Sequence, residues 1–408
     1  MPSDVHLPAT ANEALFEEFM PHRIEAFLDG YNVNVMAYGQ TGSGKTHTIF
    51  GPPGTMDRAA AGVYGHGIAT AEYGIFPRAV WTIFERVQAL NATDGGCNYA
   101  LTASAIELGI MGNMDMLVKS ADERIAFGAL GIGEMRRAGA AGPALDKNCT
   151  PPCMFGMVEL LLRESEDVLR IFAAIASRNT SGTGMNDTSS RSHCFAWLTL
   201  LAHDPDAGAA GGSGSVRRSR FQFVDLAGSE RQREASADAG AGCSGKPSAP
   251  MVVGLAEQTM MEGTATNWSL TMLSTAVRSI TRVRDKQKFV HTGGYGGDLV
   301  LLLVDSLTGK ALTALFVCVS QAPSNMMQSK ISLEFGEIFS RLTVSKRKPK
   351  AQPLAKLLKE VKSLHADNEA VLRKRVQGKW MDVRTAHALD YTQSLEILES
   401  FAALSSPS

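Results

Sequence analysis

The stretch Gly39-Gln40-Thr41-Gly42-Ser43-Gly44-Lys45-Thr46 constrains this chain more than any other. It carries the pattern G-x-x-x-x-G-K-[ST], in which glycines let backbone N–H groups wrap a run of phosphates. A lysine then reaches the β and γ oxygens and a hydroxyl sits on Mg²⁺. Here those two residues are Lys45 and Thr46. Tyr31 to Tyr38, just before the loop, reads as a short apolar strand. A strand–loop–helix turn after it would aim helix N-terminal amides at a polyanion.

The rest of the chain supplies the layers such a loop needs. Tyr99 to Ile106, Phe195 to Leu201, Arg217 to Val224 and Leu312 to Ser320 read as strands. Between them, Ile75 to Val87, Ser165 to Ser177 and Leu333 to Leu342 read as helices. Ala11 to Leu28 reads as a further helix, kinked at Pro21 and ended by Asp29-Gly30, and Gly51-Pro52-Pro53-Gly54 stops the helix that follows the phosphate loop. Strands alternating with helices predict an α/β fold with a central mixed sheet flanked by helices.

With 408 residues, 44% of them apolar, the chain can bury one large core and still carry an appendage. A formal charge of −1 gives no global bias toward a polyanion, so such a partner must be met locally. Arg278, Arg282, Arg284, Lys286 and Lys288, interrupted by Asp285, form the candidate patch. The six cysteines are scattered without a C-x-x-C pair, so no cysteine-bound zinc site is expected and the thiols read as reduced. No apolar run reaches the ~18 residues a membrane-spanning helix needs. Met1-Pro2-Ser3-Asp4 does not open like a secretory leader, so the expectation is a cytoplasmic protein without membrane insertion.

Two further stretches, Asn186-Asp187-Thr188-Ser189-Ser190-Arg191-Ser192-His193 and Phe223-Val224-Asp225-Leu226-Ala227-Gly228-Ser229-Glu230, come after the phosphate loop in order. Together the three resemble the P-loop, switch I and switch II of the kinesin motor domain, and weaker similarity runs from about Leu15 to Leu342. The resemblance implies a P-loop ATPase that uses MgATP to drive movement on microtubules, located in the cytoplasm on the cytoskeleton. It implies roles residue by residue. Gly39 to Thr46 would bind the phosphates, and His47 would stack on adenine. Ser190 would lie by Mg²⁺ and orient water, Asp225 would hold Mg²⁺ through water, and Gly228 would offer its N–H to the γ-phosphate. Arg191 and Glu230 would pair to close the switches, and Thr46, Ser190 and Asp225 would form the metal set.

The chain also departs from the family. Kinesins open with a strand and an Arg-x-Arg-Pro wall for adenine, which nothing in Met1 to Thr10 supplies, so the first strand is expected to be absent. Of the family's Glu-Ile-Tyr-Asn-Glu run only Glu107 remains. Ala235 to Pro250 reads as an insertion. Asn267-Trp268-Ser269-Leu270 matches the family's Asn-x-Ser-Leu, but Gly293 to Leu301 stands where kinesins carry a basic, tubulin-gripping run. These losses favour an alternative, a non-motile nucleotide-gated microtubule-binding or scaffold protein. The motor-like domain is expected over 1–345, a neck connector over 346–353 and a helical tail over 354–408. Leu354, Leu357, Val361, Leu364, Asn368 and Val371 fall on heptad a and d positions. Two readings stay open for them: a short coiled coil giving a homodimer through 354–371, or a packed single helix.

Overall fold

The computed structural model describes residues 5–6, 10–65, 70–93, 99–109, 112–117, 159–180, 192–206, 214–229, 268–281, 297–343, 347–373 and 381–404. Two short helices open it, α1 (Asn12–Phe19) and α2 (Pro21–Leu28). They are separate because Pro21 has no N–H to continue the first ladder and is well placed to start the second. Next come β1 (Asn32–Gly39), α3 (Lys45–Ile49), α4 (Thr55–Ala60) and α5 (Ile75–Thr93). The Gly/Pro cluster stops α3 after five residues, as expected, and Thr55–Ala60 then coils again.

The sheet is completed by β2 (Tyr99–Gly109), β3 (Gly112–Asp115), β4 (Leu160–Leu161), β5 (His193–Asp204), β6 (Ser215–Asp225) and β7 (Ala311–Cys318). Interleaved with them are α6 (Ser165–Thr180), α7 over residues 268–281, α8 (Gly297–Leu302), α9 (Val304–Leu307) and α10 (Met326–Phe339). The strand order is β3-β2-β5-β6-β1-β7, with β4 off β2. β1 runs parallel to both neighbours, β6 and β7, while β2, β5 and β6 pair antiparallel, so the sheet is mixed.

Strand alternation feeds two cores. Val33, Val35 and Ala37 of β1, with Phe221 and Phe223 of β6, face a layer built from α1, α2, α5 and α6. Met36 and Tyr38, with Phe195, Trp197 and Val224, face α7, α8 and α10. Every residue of β1 is buried, as a central strand covered on both sides requires. The architecture is the expected three-layer α/β one. No helix among the described residues is long and apolar enough to cross a membrane.

The C-terminal segment does not project away. Lys348 Nζ sits 2.6 Å from Asp29 Oδ1 and over the Tyr31 ring, holding this segment against the core. β8 (Gln352–Pro353) then pairs antiparallel with the start of β6, and Leu354 N donates to Gly214 O at 3.0 Å. Helices α11 (Leu354–Arg373) and α12 (Met381–Leu404) form a hairpin. Leu354, Ile397, Leu398 and Phe401 are buried against Ala100 and Val216, with Leu357 and Val361 packed beside them. Polar contacts frame this seam: Gln393 Nε2 donates to Glu159 O, Arg163 pairs with Glu396, and Lys362 pairs with Glu399. Of the two readings of the heptad pattern, the described contacts are those of a packed helix. Leu354, Leu357 and Val361 of the stripe that suggested a homodimer pack in one cluster with residues of α12 and the sheet of the same chain.

Candidate nucleotide site

Parallel pairing of β1 and β6 puts Ala37 opposite Asp225, so the phosphate loop and Asp225 leave the sheet at one edge. That edge, the carboxyl ends of the parallel strands, is where open α/β sheets hold ligands. Gly39, at φ 155°, ends β1 so close to β7 that a Cβ there would lie 2.1 Å from Cys318 O. Gly42 and Gly44, at φ 75° and 99°, turn the loop in the left-handed region and deliver Lys45 as the first residue of α3. Lys45 is buried, and its Nζ donates to Gln40 O at 2.8 Å, as does Ser43 Oγ. Thr41 is exposed at the loop's rim.

The loop meets the end of β6 directly. Thr46 Oγ1 donates to Asp225 Oδ2 at 2.8 Å, and Ser229 N donates to Gly39 O at 3.1 Å. The second stretch beyond the loop thus touches it at a hydroxyl and at the backbone, with Gly228 buried between. His47, expected to stack on adenine, presents an exposed side chain, and its carbonyl accepts from Asn12 Nδ2 at 2.9 Å. Ser190, Arg191 and Glu230 lie outside the described residues, and so does the Arg191–Glu230 latch. The same holds for Arg282, Arg284, Lys286, Lys288 and residues 293–296 of the Gly-rich stretch at 293–301.

Three residues given no role from sequence complete the buried site. Arg178, near the end of α6, donates from Nη1 to Asp225 Oδ2 at 2.7 Å and from Nη2 to Ser192 O at 2.9 Å. Its Nε lies 3.6 Å from Glu107 Oε1, which also accepts from Ser192 Oγ. Burial opposes the Arg178 charge, but Asp225, Cys194 and Glu107 outweigh it and hold its pKa above the usual range. The third is His193, whose Nδ1 accepts from Ala227 N at 3.0 Å while Nε2 lies 2.7 Å from Ser269 Oγ. Burial, then the charges of Arg178 and Lys45, push its pKa down to about 3, so the ring is neutral. The signal for Glu107 and Arg178 was a charged residue continuing an apolar pattern; His193 stood inside a motif that drew attention to its neighbours.

The sequence model of the family described as "Kinesin motor domain" matches residues 3–342. The chain belongs to the kinesin motor-domain family. Carboxy-terminal kinesin 2 of Xenopus laevis is 29% identical over 328 residues, covering 80% of this chain and 42% of that protein. Kinesin-like protein KIN-4C of Oryza sativa subsp. japonica is 28% identical, covering 79% of this chain and 23% of its own length. Kinesin-like protein unc-104 of Caenorhabditis elegans is 26% identical, covering 90% and 20%. The chain therefore spans less than half the length of these relatives. A solved structure described as that of a fast kinesin shares the fold, with a TM-score of 0.59 at 23% identity, covering 84% of this chain and 79% of that one.

The kinesin fold implies nucleotide binding, generally with Mg²⁺, and the residues present fit both. Asp225 Oδ1 and Gln40 Oε1 are buried with no hydrogen-bond partner among the described residues. A buried carboxylate oxygen beside a threonine hydroxyl is the hard-oxygen donor set that suits a cation keeping part of its water shell. Thr46 and Asp225 would hold Mg²⁺, whose charge would offset that of the phosphate oxygens.

Proposed function

We propose that this chain is an ATP-driven microtubule motor that hydrolyses MgATP and works in the cytoplasm on the cytoskeleton. The observation that carries the proposal is the chain Thr46–Asp225–Arg178, which links the phosphate loop, the end of β6 and the end of α6 in one connected set of bonds. Phosphoryl transfer to water needs positioning and charge neutralisation more than covalent chemistry. Lys45 would neutralise the β and γ oxygens, and the Gly228 N–H would meet the γ-phosphate. Ser190 would orient the attacking water, and the Arg191–Glu230 pair would hold it in place. Ser229 N on Gly39 O and Ala227 N on His193 tie the loop after β6 to its surroundings. A change at the γ-phosphate would reach α7, whose Arg278 is exposed for an acidic filament surface.

The test is turnover of MgATP with and without microtubules, beside Lys45→Ala. Stimulated turnover in the wild type, with loss of labelled-nucleotide binding in the variant, is the expected result. Equal nucleotide affinity in the two proteins would refute the site, and absence of stimulation would refute the motor.

A second reading, a non-motile nucleotide-gated microtubule-binding protein, is favoured by one observation. The connector and β8 are held against the core by Lys348, by pairing with β6 and by the α11–α12 hairpin. Filament binding without stimulated turnover would select it.

A further inference from the structure

Helix α7 is attached to the sheet mainly by Leu270, Leu273, Val277 and Ile280, an apolar stripe facing Phe195 and Trp197 among others. Apolar contact is non-directional, so by itself such a stripe fixes neither the axial position nor the rotation of the helix closely. A short hydrogen bond does, because it weakens steeply when its atoms move or tilt. The Ser269 hydroxyl supplies that bond. It lies 2.7 Å from His193 Nε2, and both residues are buried.

The other side of the same ring decides the direction of the link. Ala227 N can only donate, so His193 Nδ1 is the acceptor and the ring proton sits on Nε2, which donates to Ser269 Oγ. One neutral imidazole therefore bridges the backbone of the loop after β6 to the side of α7. The ring's own backbone is held as well: Ser192, the residue before it, receives Arg178 Nη2 on its carbonyl, and Cys194, the residue after it, pairs with Asp225 in the sheet. The imidazole is thus mounted on the start of β5, while its two partners lie on two separate elements, the loop after β6 and α7.

We propose that His193 is the positioning residue that transmits a shift of Ala227 to α7 through Ser269, setting how far the exposed face of that helix follows the nucleotide site. The proposal rests on the motor reading for its use, but the bridge can be tested without nucleotide or filament.

The first measurement is amide hydrogen exchange on the full chain, comparing wild type, Ser269→Ala and Ser269→Thr. Ser269→Ala should raise exchange across 226–229 by about tenfold, the scale of one lost hydrogen bond, although the substitution lies on another element. Ser269→Thr keeps the hydroxyl and should restore protection. Unchanged exchange in the alanine variant, or a rise that threonine does not reverse, would overturn the proposal by assigning Ser269 to packing alone.

The second measurement is turnover. Ser269→Ala should keep filament-free hydrolysis and the half-saturating microtubule concentration within about threefold, yet lose most of the stimulated increment, since a transmitting residue acts on kcat. Equal loss of both rates would overturn it. A wild type that microtubules do not stimulate counts against the motor reading, and the exchange result then decides the bridge.

Discussion

Arg178 Nη1 and Asp225 Oδ2 meet at 2.7 Å, with only 3% and 1% of the two side chains exposed. The guanidinium has a planar fork, and here it spans a carboxylate, a backbone carbonyl and a second carboxylate at once. Replacing it with an uncharged side chain leaves Asp225 and Glu107 buried without that cation. Such removals cost about 3–5 kcal/mol. Arg178→Met should therefore lose about that much stability in urea unfolding, and Arg178→Lys should recover only part, because a point charge cannot span all three acceptors. A methionine variant within about 1 kcal/mol of wild type, the range of an exposed pair, would contradict this account.

Thr46 and Asp225 offer the oxygens proposed for Mg²⁺, and the Thr46 hydroxyl is the simpler to remove. Chelating the metal should weaken binding of a fluorescent ATP analogue to the wild type. In Thr46→Val the affinity with Mg²⁺ should already be reduced by about 10-fold or more, and chelation should change it little further. The measurement is a titration of each protein with and without EDTA. A valine variant that keeps the full Mg²⁺ effect would show that the hydroxyl is not a ligand.

Asp305 is buried beneath β1, where Asn32 Nδ2 donates to its Oδ2 at 3.3 Å and Asn32 Oδ1 in turn accepts from Arg220 N. Burial raises its pKa, and Lys310, Arg220 and the Asn32 bond only partly oppose that. A raised folded-state pKa contributes stability below the unfolded value, and that contribution is lost as pH rises through the folded value. Asp305→Asn, which keeps an acceptor for Asn32 and carries no charge, should therefore stabilise the protein at pH 8, with the gain shrinking as pH falls toward ~4. Denaturation midpoints across that range would check it; a gain that grows on acidification would reverse the assignment.

The eight residues from Gly39 to Thr46 and the apolar runs around them made the phosphate loop and the mixed sheet legible, because both signals are local. β1, β2, β5, β6 and β7 all fall where the apolar and alternating runs placed them, longer or shorter by a few residues at their ends. The buried polar set was not legible, because its members come together only through the sheet. Arg178 and Asp225 are 47 positions apart, Ser192 and Glu107 are 85 apart, and His193 and Ser269 are 76 apart. Glu107 and Arg178, taken alone, are ordinary charges beside apolar runs. The tail shows the same limit differently. A heptad pattern specifies an apolar stripe on a helix, but the partner that covers it is set by the residues beyond Arg373, which form α12.

That partner yields the last prediction. Leu354, Ile397, Leu398 and Phe401 are buried where the hairpin meets Ala100 and Val216, and the Phe401 ring stacks on His203 at 5.1 Å. At about 1.5–3 kcal/mol for each large apolar side chain, their burial contributes a gross ~6–12 kcal/mol to holding the hairpin down. β8, by contrast, pairs with β6 over two residues only, too few for independent stability. The hairpin is therefore the largest apolar contribution to holding β8 in place, and its contacts use Leu354, Leu357 and Val361, three residues of the stripe that a dimer would need. The wild type should be monomeric by light scattering, with the amides of 352–361 protected from exchange. Leu398→Asp combined with Phe401→Asp should strip that protection and leave Leu354, Leu357 and Val361 open to a second copy, giving concentration-dependent dimers. A wild-type dimer would show that the stripe is not used within the chain. A double variant that keeps its protection would show that β8 is held by the sheet without help from α12.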